Sequence, residues 1–255
     1  GVQTCALPIY TSTDTVIAFR AIGCGELTVS DIAFRQLLWD LGDGWTENAD
    51  GSLSCAAGVE ASMARYDALT ADQKAWKAYE FTGEITIESV DVNQWTGWGP
   101  VTAYKDETAY SFLRCQVNGL GQQVDQRGEL IIAQGDPGFS YGQHEVGRTY
   151  SFRLVVDKTT RLIAYYIDGK LCYERYYPDN AIWPADTTPD TVIAMFNRNC
   201  GAFTLRNWSF RQLNWVTGDG WTDNGNGSFS FEGGKTSILR YVGLSEAQKI
   251  GRASC

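Results

Sequence analysis

The sequence predicts an all-β protein, a sandwich or barrel with one short helix. Aromatic residues abound, with nine Trp, thirteen Tyr and eleven Phe beside 27 Gly, a composition that suits pleated, half-buried surfaces joined by tight turns. Apolar and polar residues alternate with a period of two in the clearest segment, Tyr79 to Glu88. Turn signals recur every 8–12 residues or so, the rhythm of a sandwich or barrel and not of a parallel α/β sheet.

The elements follow in order. Thr70 and Gln73 have capping-box spacing, so one short helix is expected after Thr70. Tyr79, Phe81, Gly83, Ile85 and Ile87 form one face of the next strand, with Glu80, Thr82, Glu84, Thr86 and Glu88 on the other. Trp95 and Trp98 read as part of a glycine-containing loop. Tyr110 to Val117 is a strand ended by the turn pair Asn118-Gly119. Glu129 to Ala133 is short and apolar, closed by Gly135-Asp-Pro-Gly138. Thr149 to Asp157 and Arg161 to Ile167 flank the polar turn Lys158-Thr-Thr160, and Asp168-Gly169 leads into Lys170 to Tyr176. Thr191 to Met195 and Ala202 to Leu213 complete the pattern.

The chain repeats itself. Asp14-Thr-Val-Ile-Ala18 returns as Asp190-Thr-Val-Ile-Ala194, Phe34-Arg-Gln-Leu37 as Phe210-Arg-Gln-Leu213, and Gly42-Asp-Gly-Trp-Thr46 as Gly218-Asp-Gly-Trp-Thr222. After a single-residue gap, Arg65-Tyr66 returns as Arg240-Tyr241. A period this long marks a whole domain and not a solenoid unit. The expected organisation is therefore one complete domain over residues 39–213, the tail of a preceding repeat over 10–38 and the start of a following one over 214–249. Residues 1–9 and 250–255 have no counterpart in the repeat; they resemble translated sequencing adapters and are set aside from fold reasoning.

The formal net charge is −9. No basic stripe exists to neutralise phosphates, which argues against nucleic acid and anionic membrane surfaces as partners. No apolar run approaches the length of a spanning helix, so no membrane insertion is expected. The cysteines show neither a C-x-x-C pair nor a Cys/His metal pattern. Cys55 is replaced by Phe231 in the second copy, which suits a small buried apolar position better than a disulfide.

The stretch Gly147 to Tyr176, with Tyr165-Tyr-Ile-Asp-Gly-Lys-Leu-Cys-Tyr-Glu174 at its hairpin, resembles the signature of concanavalin A-like jelly rolls. Trp95-Thr-Gly-Trp-Gly99 followed by Tyr110-Ser-Phe112 adds to the likeness, as does Gly42-Asp-Gly-Trp-Thr46 read as the start of the first strand pair. The resemblance spans about Trp39 to Leu213 and is closest to laminin-G-like and keto-disaccharide-hydrolase-like modules of large secreted bacterial proteins. It implies a concanavalin A-like jelly-roll β-sandwich and an extracellular or cell-surface setting, but its hallmark residues are structural and specify fold more than function.

Two constellations bear on chemistry. Glu84-Ile-Thr-Ile-Glu88 resembles the Glu-x-Asp-x-Glu strand of laminarinase-type glycoside hydrolases, which would make Glu84 the nucleophile and Glu88 the acid/base. Thr86 stands where the family has its orienting Asp. Residues four apart on a strand lie about 13 Å apart at Cα, whereas retaining chemistry needs carboxyls about 5–5.5 Å apart. The second constellation is a binding surface of Trp95, Trp98, Tyr110, Arg114 and Glu88, aromatic faces with polar groups suited to a sugar. The expected function is a non-catalytic carbohydrate-binding or adhesion module in a tandem-repeat secreted or surface protein, with a glycan or cell-surface polysaccharide and its neighbouring repeats as partners. The alternatives are a structural spacer without ligand and a glycoside hydrolase using Glu84 and Glu88. His144, the only histidine, reads as a loop residue without a catalytic role. No cofactor is expected, although the acidic loops Asp40–Asp50 and Asp219–Asp223 offer hard oxygens of the kind Ca²⁺ takes.

Overall fold

The computed structural model describes residues 38–91, 96–127, 129–133, 135–177 and 190–243, with isolated positions 22, 26, 28 and 30. The chain divides into two compact units, Gly1–Gln36 and Leu37–Cys255. Every element below belongs to the second unit. Trp95 and Cys24, with the adapter-like ends and most of the N-terminal repeat segment, lie outside the described residues.

The described chain is almost entirely β and forms a jelly-roll sandwich. Its opening strands are β1 (Trp39–Leu41), β2 (Trp45–Glu47), β3 (Leu53–Cys55) and β4 (Ser62–Tyr66). Helix α1 (Ala71–Lys74) follows, then β5 (Ala78–Ile87), β6 (Gly97–Asp106), β7 (Ala109–Cys115), β8 (Leu120–Arg127), β9 (Leu130–Ile132) and β10 (Phe139–Ser140). The hairpin strands β11 (Thr149–Asp157), β12 (Leu162–Ile167) and β13 (Lys170–Tyr176) precede β14 (Ala194–Arg198) and β15 (Phe203–Gln212). One sheet, the front sheet, runs β1-β4-β14-β6-β7-β8-β10 with β9 also on β8; the back sheet runs β13-β12-β11-β5-β15-β3-β2. All pairings are antiparallel, and at one end of the sandwich the chain passes from sheet to sheet at β1–β2, β3–β4 and β14–β15.

The alternation read from β5 is the burial pattern it adopts. Tyr79, Phe81, Ile85 and Ile87 enter the core between the sheets, where they meet Phe152, Leu154 and Val156 of β11 and Phe203 and Leu205 of β15. Gly83 is needed there: a Cβ at that position would lie 2.7 Å from Leu205 Cδ1 and 2.9 Å from the Phe152 ring. The helix has the expected box, with Gln73 N–H donating to Thr70 Oγ1 at 3.2 Å and Thr70 N–H to Gln73 Oε1 at 2.8 Å.

The segment expected as a loop around Trp98 is instead strand β6, and the reason lies in its glycines. A Cβ on Gly99 would sit 1.5 Å from the Leu113 carbonyl oxygen, and one on Gly97 would sit 2.7 Å from that of Cys115. Both glycines let β7 approach more closely than a side chain permits, the use of strand glycine that propensity misses. Strand β8 gave no apolar signal because its inward positions, Gln123 and Asp125, are polar. Their acceptor oxygens find partners inside: Tyr173 donates to Gln123 Oε1 at 3.1 Å and Ser111 to Asp125 at 2.8 Å.

After β15 four further short strands follow. Strands β16 (Trp215–Thr217), β17 (Trp221–Asp223), β18 (Phe229–Phe231) and β19 (Leu239–Tyr241) form two separate two-stranded sheets, β16-β19 and β17-β18. Trp215 faces Tyr241 as Trp39 faces Tyr66, and Trp221 faces Phe231 as Trp45 faces Cys55. Val216 and Val242 pack on the outer face of the back sheet, against Ala78, Val155, Leu162 and Ala164. Arg240 there pairs with Asp157, which is fully buried.

Cys55 is a buried free thiol in the core, and burial pushes it up to about 12. Cys115, Cys172 and Cys200 are also free. Cys55→Ala should therefore act as a small core truncation and cost about 1–2 kcal/mol. Chemical denaturation of both proteins with and without reductant checks this; a stability loss on adding reductant to the unsubstituted protein would show that a disulfide, not a packed thiol, holds this position.

The interior also holds a titratable pair. Trp98 Nε1–H donates to His144 Nε2 at 3.0 Å, the Tyr141 hydroxyl lies 2.7 Å from the same nitrogen, and His144 is 7% exposed. Burial pushes His144 down from 6.5 to about 4. An accepting Nε2 must be unprotonated, so the fold requires the neutral ring. The unfolded chain takes up the proton first as pH falls, so stability is complete above about pH 6.5 and declines toward pH 4, by roughly 2–3 kcal/mol. Comparing unfolding free energy at pH 7 and pH 4.5 tests this, with His144→Gln, which keeps an acceptor, expected to flatten the dependence.

Candidate functional site

The front sheet has an outer face of its own. Residues alternate outward along it: Asp40 on β1, Met63 and Arg65 on β4, Ala194 and Phe196 on β14, Val101 and Tyr104 on β6, and Tyr110, Phe112 and Arg114 on β7. Cross-strand partners fix the arrangement, with Asp40 opposite Arg65, Met63 opposite Phe196, Val101 opposite Phe112 and Tyr104 opposite Tyr110. Val101, Phe112, Val124, Ala194 and Phe196 form a second apolar cluster, packed by Met63, Tyr104 and Tyr110. The Phe112 and Phe196 ring centroids are 4.0 Å apart.

At one end of this aromatic layer is a cavity of about 400 Å³. Asp40, Arg65, Tyr104, Glu107, Tyr110 and Phe196 are among its walls. Tyr104 and Tyr110 stack at 6.4 Å, and Tyr110 leans on Phe196 at 5.6 Å. The Arg65 guanidinium lies 4.6 Å above the Tyr104 ring and donates to Asp40 at 2.8 Å, with Asp67 at 3.6 Å. These contacts hold the guanidinium over one ring while the neighbouring ring stays half-exposed. Asp106 accepts from the Thr108 N–H and hydroxyl at 2.9 and 2.7 Å, which sets the β6–β7 turn and projects Glu107 at the rim. Those hydrogen bonds hold the Asp106 carboxyl below its usual range. Burial pushes the Tyr110 hydroxyl up, and Arg198 offsets part of that. The cavity thus combines aromatic faces, one cation and several carboxylates, groups that stack on and hydrogen-bond to a polyhydroxylated ring.

The residues singled out from sequence are dispersed. Tyr110 lines the cavity. Arg114 shares its strand face but is 4% exposed, donates to Gln122 at 2.6 Å, and is pushed down to about 10 by burial. Trp98 is fully buried in the core with its N–H committed to His144, so it presents no face to a ligand. Trp95 lies outside the described residues. Glu84 and Glu88 belong to the back sheet, on the opposite side of the sandwich from Tyr110, and so do not join a common surface with it. Each is held from β15: Asn207 donates to Glu84 at 2.7 Å, and the Thr204 hydroxyl donates to Glu88. Thr86, between them, is 2.8 Å from the Thr149 hydroxyl. This is a hydrogen-bonded outer face with Thr86 and not a carboxylate between the two glutamates.

Arg65, Tyr104, Glu107 and Phe196 were not marked by sequence as site residues, and Asp40 was marked only as part of an acidic loop suited to Ca²⁺. Arg65 stood out only as a repeat marker, and Tyr104 and Tyr110 flank an Asp-x-Thr turn, a hairpin signal that would have paired them. Oxygens of the acidic loops serve turns and an ion pair: Asp50 accepts from the Ser52 N–H at 3.0 Å, Asp223 from the Gly225 N–H at 2.9 Å, and Asp219 from Lys235 at 3.2 Å. Among the described residues no three His, Cys, Asp or Glu side chains gather as a metal site, and no helix is long and apolar enough to cross a membrane.

No protein-family model and no curated protein matches the chain. Among solved structures it is similar to carbohydrate binding module CBM66 from Bacillus subtilis, at 12% identity over 69% of this chain and 96% of that one, with a TM-score of 0.49. It is also similar to the Ca²⁺/mannose-bound exoplasmic/lumenal domain of VIP36, at 8% identity over 70% and 84% of the two chains, TM-score 0.49. The metal-free carbohydrate recognition domain of Emp46p matches at 10% identity over 68% and 87%, TM-score 0.47. At these identities no site residue is carried from those proteins to this one.

Proposed function

We propose that the chain is a non-catalytic carbohydrate-binding or adhesion module, and that its ligand is a glycan held in the front-sheet cavity. The observation that supports this best is the conjunction of stacked Tyr104 and Tyr110 with Arg65 and the carboxylates of Asp40 and Glu107 around one cavity. The apolar face of a pyranose stacks on an aromatic ring, while its vicinal hydroxyls match the geometry of a guanidinium or carboxylate. A secreted or surface setting, and neighbouring repeats that add affinity through effective concentration, belong to the same reading. The internal pairing of Arg65 with Asp40 favours a second reading, a spacer whose surface charges satisfy each other.

A shallow site of this kind should bind weakly, with Kd on the order of 0.1–1 mM, about 4–5.5 kcal/mol. A glycan array probed with the chain displayed multivalently is the appropriate measurement. Tyr110→Ala and Arg65→Ala should each weaken the signal at least tenfold while the fold survives, whereas Glu84→Gln and Glu88→Gln, on the other sheet, should leave it unchanged. A blank array would support the spacer. Reducing sugar released from β-glucans and lost in Glu84→Gln would restore the hydrolase.

A further inference from the structure

The front-sheet cavity holds more negative than positive charge. Asp40, Asp43 and Glu107 line it, and among its described walls Arg65 is the one basic side chain. Lys105 and Arg198 act on Asp106 and Tyr110 from outside that lining. The Arg65 guanidinium is already engaged. It donates to Asp40 at 2.8 Å, approaches Asp67 to 3.6 Å and lies 4.6 Å over the Tyr104 ring. Arg65 thus spends its charge on Asp40 and Asp67, and Asp40 has its partner. Asp43 and Glu107 have no basic partner among the described residues. Both are exposed, at the edge of an aromatic wall made by Tyr104 and Tyr110.

This arrangement discriminates between ligands by charge. A uronate or sulfate entering the cavity would lose water beside two carboxylates of its own sign, a cost that the occupied Arg65 does little to offset. A neutral sugar meets neither that cost nor any ionic gain. An ammonium group brings three N–H donors to the carboxylates and is attracted to the faces of the tyrosine rings as well. The net charge of −9 adds a long-range field of the same preference. Resting on the reading that this cavity holds a glycan, we infer that its ligand is a glycan with free amino groups, of the glucosamine type, whose ammonium is met by Asp43 and Glu107 beside the Tyr104 and Tyr110 rings. Asp43 and Glu107 are then the residues that set specificity, while the rings supply the stacking surface.

Isothermal titration calorimetry of the full chain at pH 6 and low salt tests this with three probes: a chitosan oligosaccharide, the N-acetylated chitin oligosaccharide of the same length, and an oligogalacturonate. The chitosan probe should bind on the order of tenfold more tightly than the chitin probe, the combined size of a partly exposed ion pair and a cation–π contact. The oligogalacturonate should be the weakest. Asp43→Asn and Glu107→Gln should each bring the chitosan-to-chitin ratio toward one, whereas Glu174→Gln, which removes a charge from the back sheet, should leave the ratio unchanged. Near-ultraviolet circular dichroism should be the same for all three variants. Chitin or oligogalacturonate bound as tightly as chitosan would overturn the inference and leave the glycan reading standing. A chitosan preference indifferent to Asp43→Asn and Glu107→Gln, or oligolysine bound as tightly and as dependent on Tyr110, would overturn it in favour of general attraction of cations. Binding of none of the three, with a blank array, would remove the glycan reading and the inference together.

Discussion

The sandwich depends on one strand. β5 is laddered to β11 from Ala78 to Thr86 and to β15 from Tyr79 to Ile87, so nearly its whole length is hydrogen-bonded on both edges. Its inward residues lie at the middle of the core. The β15 side carries one irregularity, where Asn207 takes a φ of 50° and the ladder slips between Arg206 and Ser209. That bulge turns Trp208 inward, onto Trp39 at 4.9 Å and Phe210 at 6.5 Å, and its N–H reaches the Gly51 carbonyl at 3.0 Å. An extra residue in one strand thus ties the opening hairpins to the centre of the back sheet, the use to which bulges are often put.

What could be read from sequence follows from where each signal originates. Strands with one dry and one wet face announce themselves through alternation, and β5, β11 and β13 lie within a residue or so of the sequence reading. Positive-φ turns at Gly119 and at Asp168-Gly169 were legible for the same local reason. β6 and β8 were not, because β6 carries glycines that let β7 approach closely and β8 carries Gln and Asp at its inward positions, residues whose fit depends on what the neighbouring strands present. Of the candidate site, Tyr110 was legible as a binding residue and Asp40 only as part of an acidic loop. The cavity is assembled from five adjacent front-sheet strands far apart in the chain, and no spacing rule joins Asp40 to Glu107 or Phe196.

The two sheets also divide polar labour in a way sequence does not reveal. On the back sheet, outward carboxylates are consumed by neighbours: Glu80 takes Arg153 at 2.8 Å and Arg211 beside it, and Glu84 takes Asn207. On the front sheet, outward positions are largely aromatic and apolar, with Arg114 bonded to Gln122 within the sheet and further polar groups at the rim. A charged outer strand face with paired partners is a stable, wet surface. Most of that aromatic layer is buried, and only its end at Tyr104 and Tyr110, beside the cavity, is open enough to exchange water for a ligand. Glutamates invite a catalytic reading from sequence, yet the sheet that carries them is the one already satisfied.

The repeat separates local from tertiary determinants within one molecule. The turn joining β2 to β3 and that joining β17 to β18 have the same hydrogen bonds: Asn48 donates to Ser52 and Ser54 at 2.9 Å, and Asn224 donates to Ser228 and Ser230 at 3.0 Å. Gly44 and Gly220 share positive φ values of 74° and 82°. Registers match although Trp45 is buried and Phe231, opposite Trp221, is largely exposed. Register in these hairpins is therefore set by turn chemistry and cross-strand pairs, without help from the core. Burial is not local: it arrives only when strands from the far end of the repeat close over the apolar face. The same residues thus form a finished core in one copy and an open surface in the other, and the difference lies entirely in which strands are available to pair.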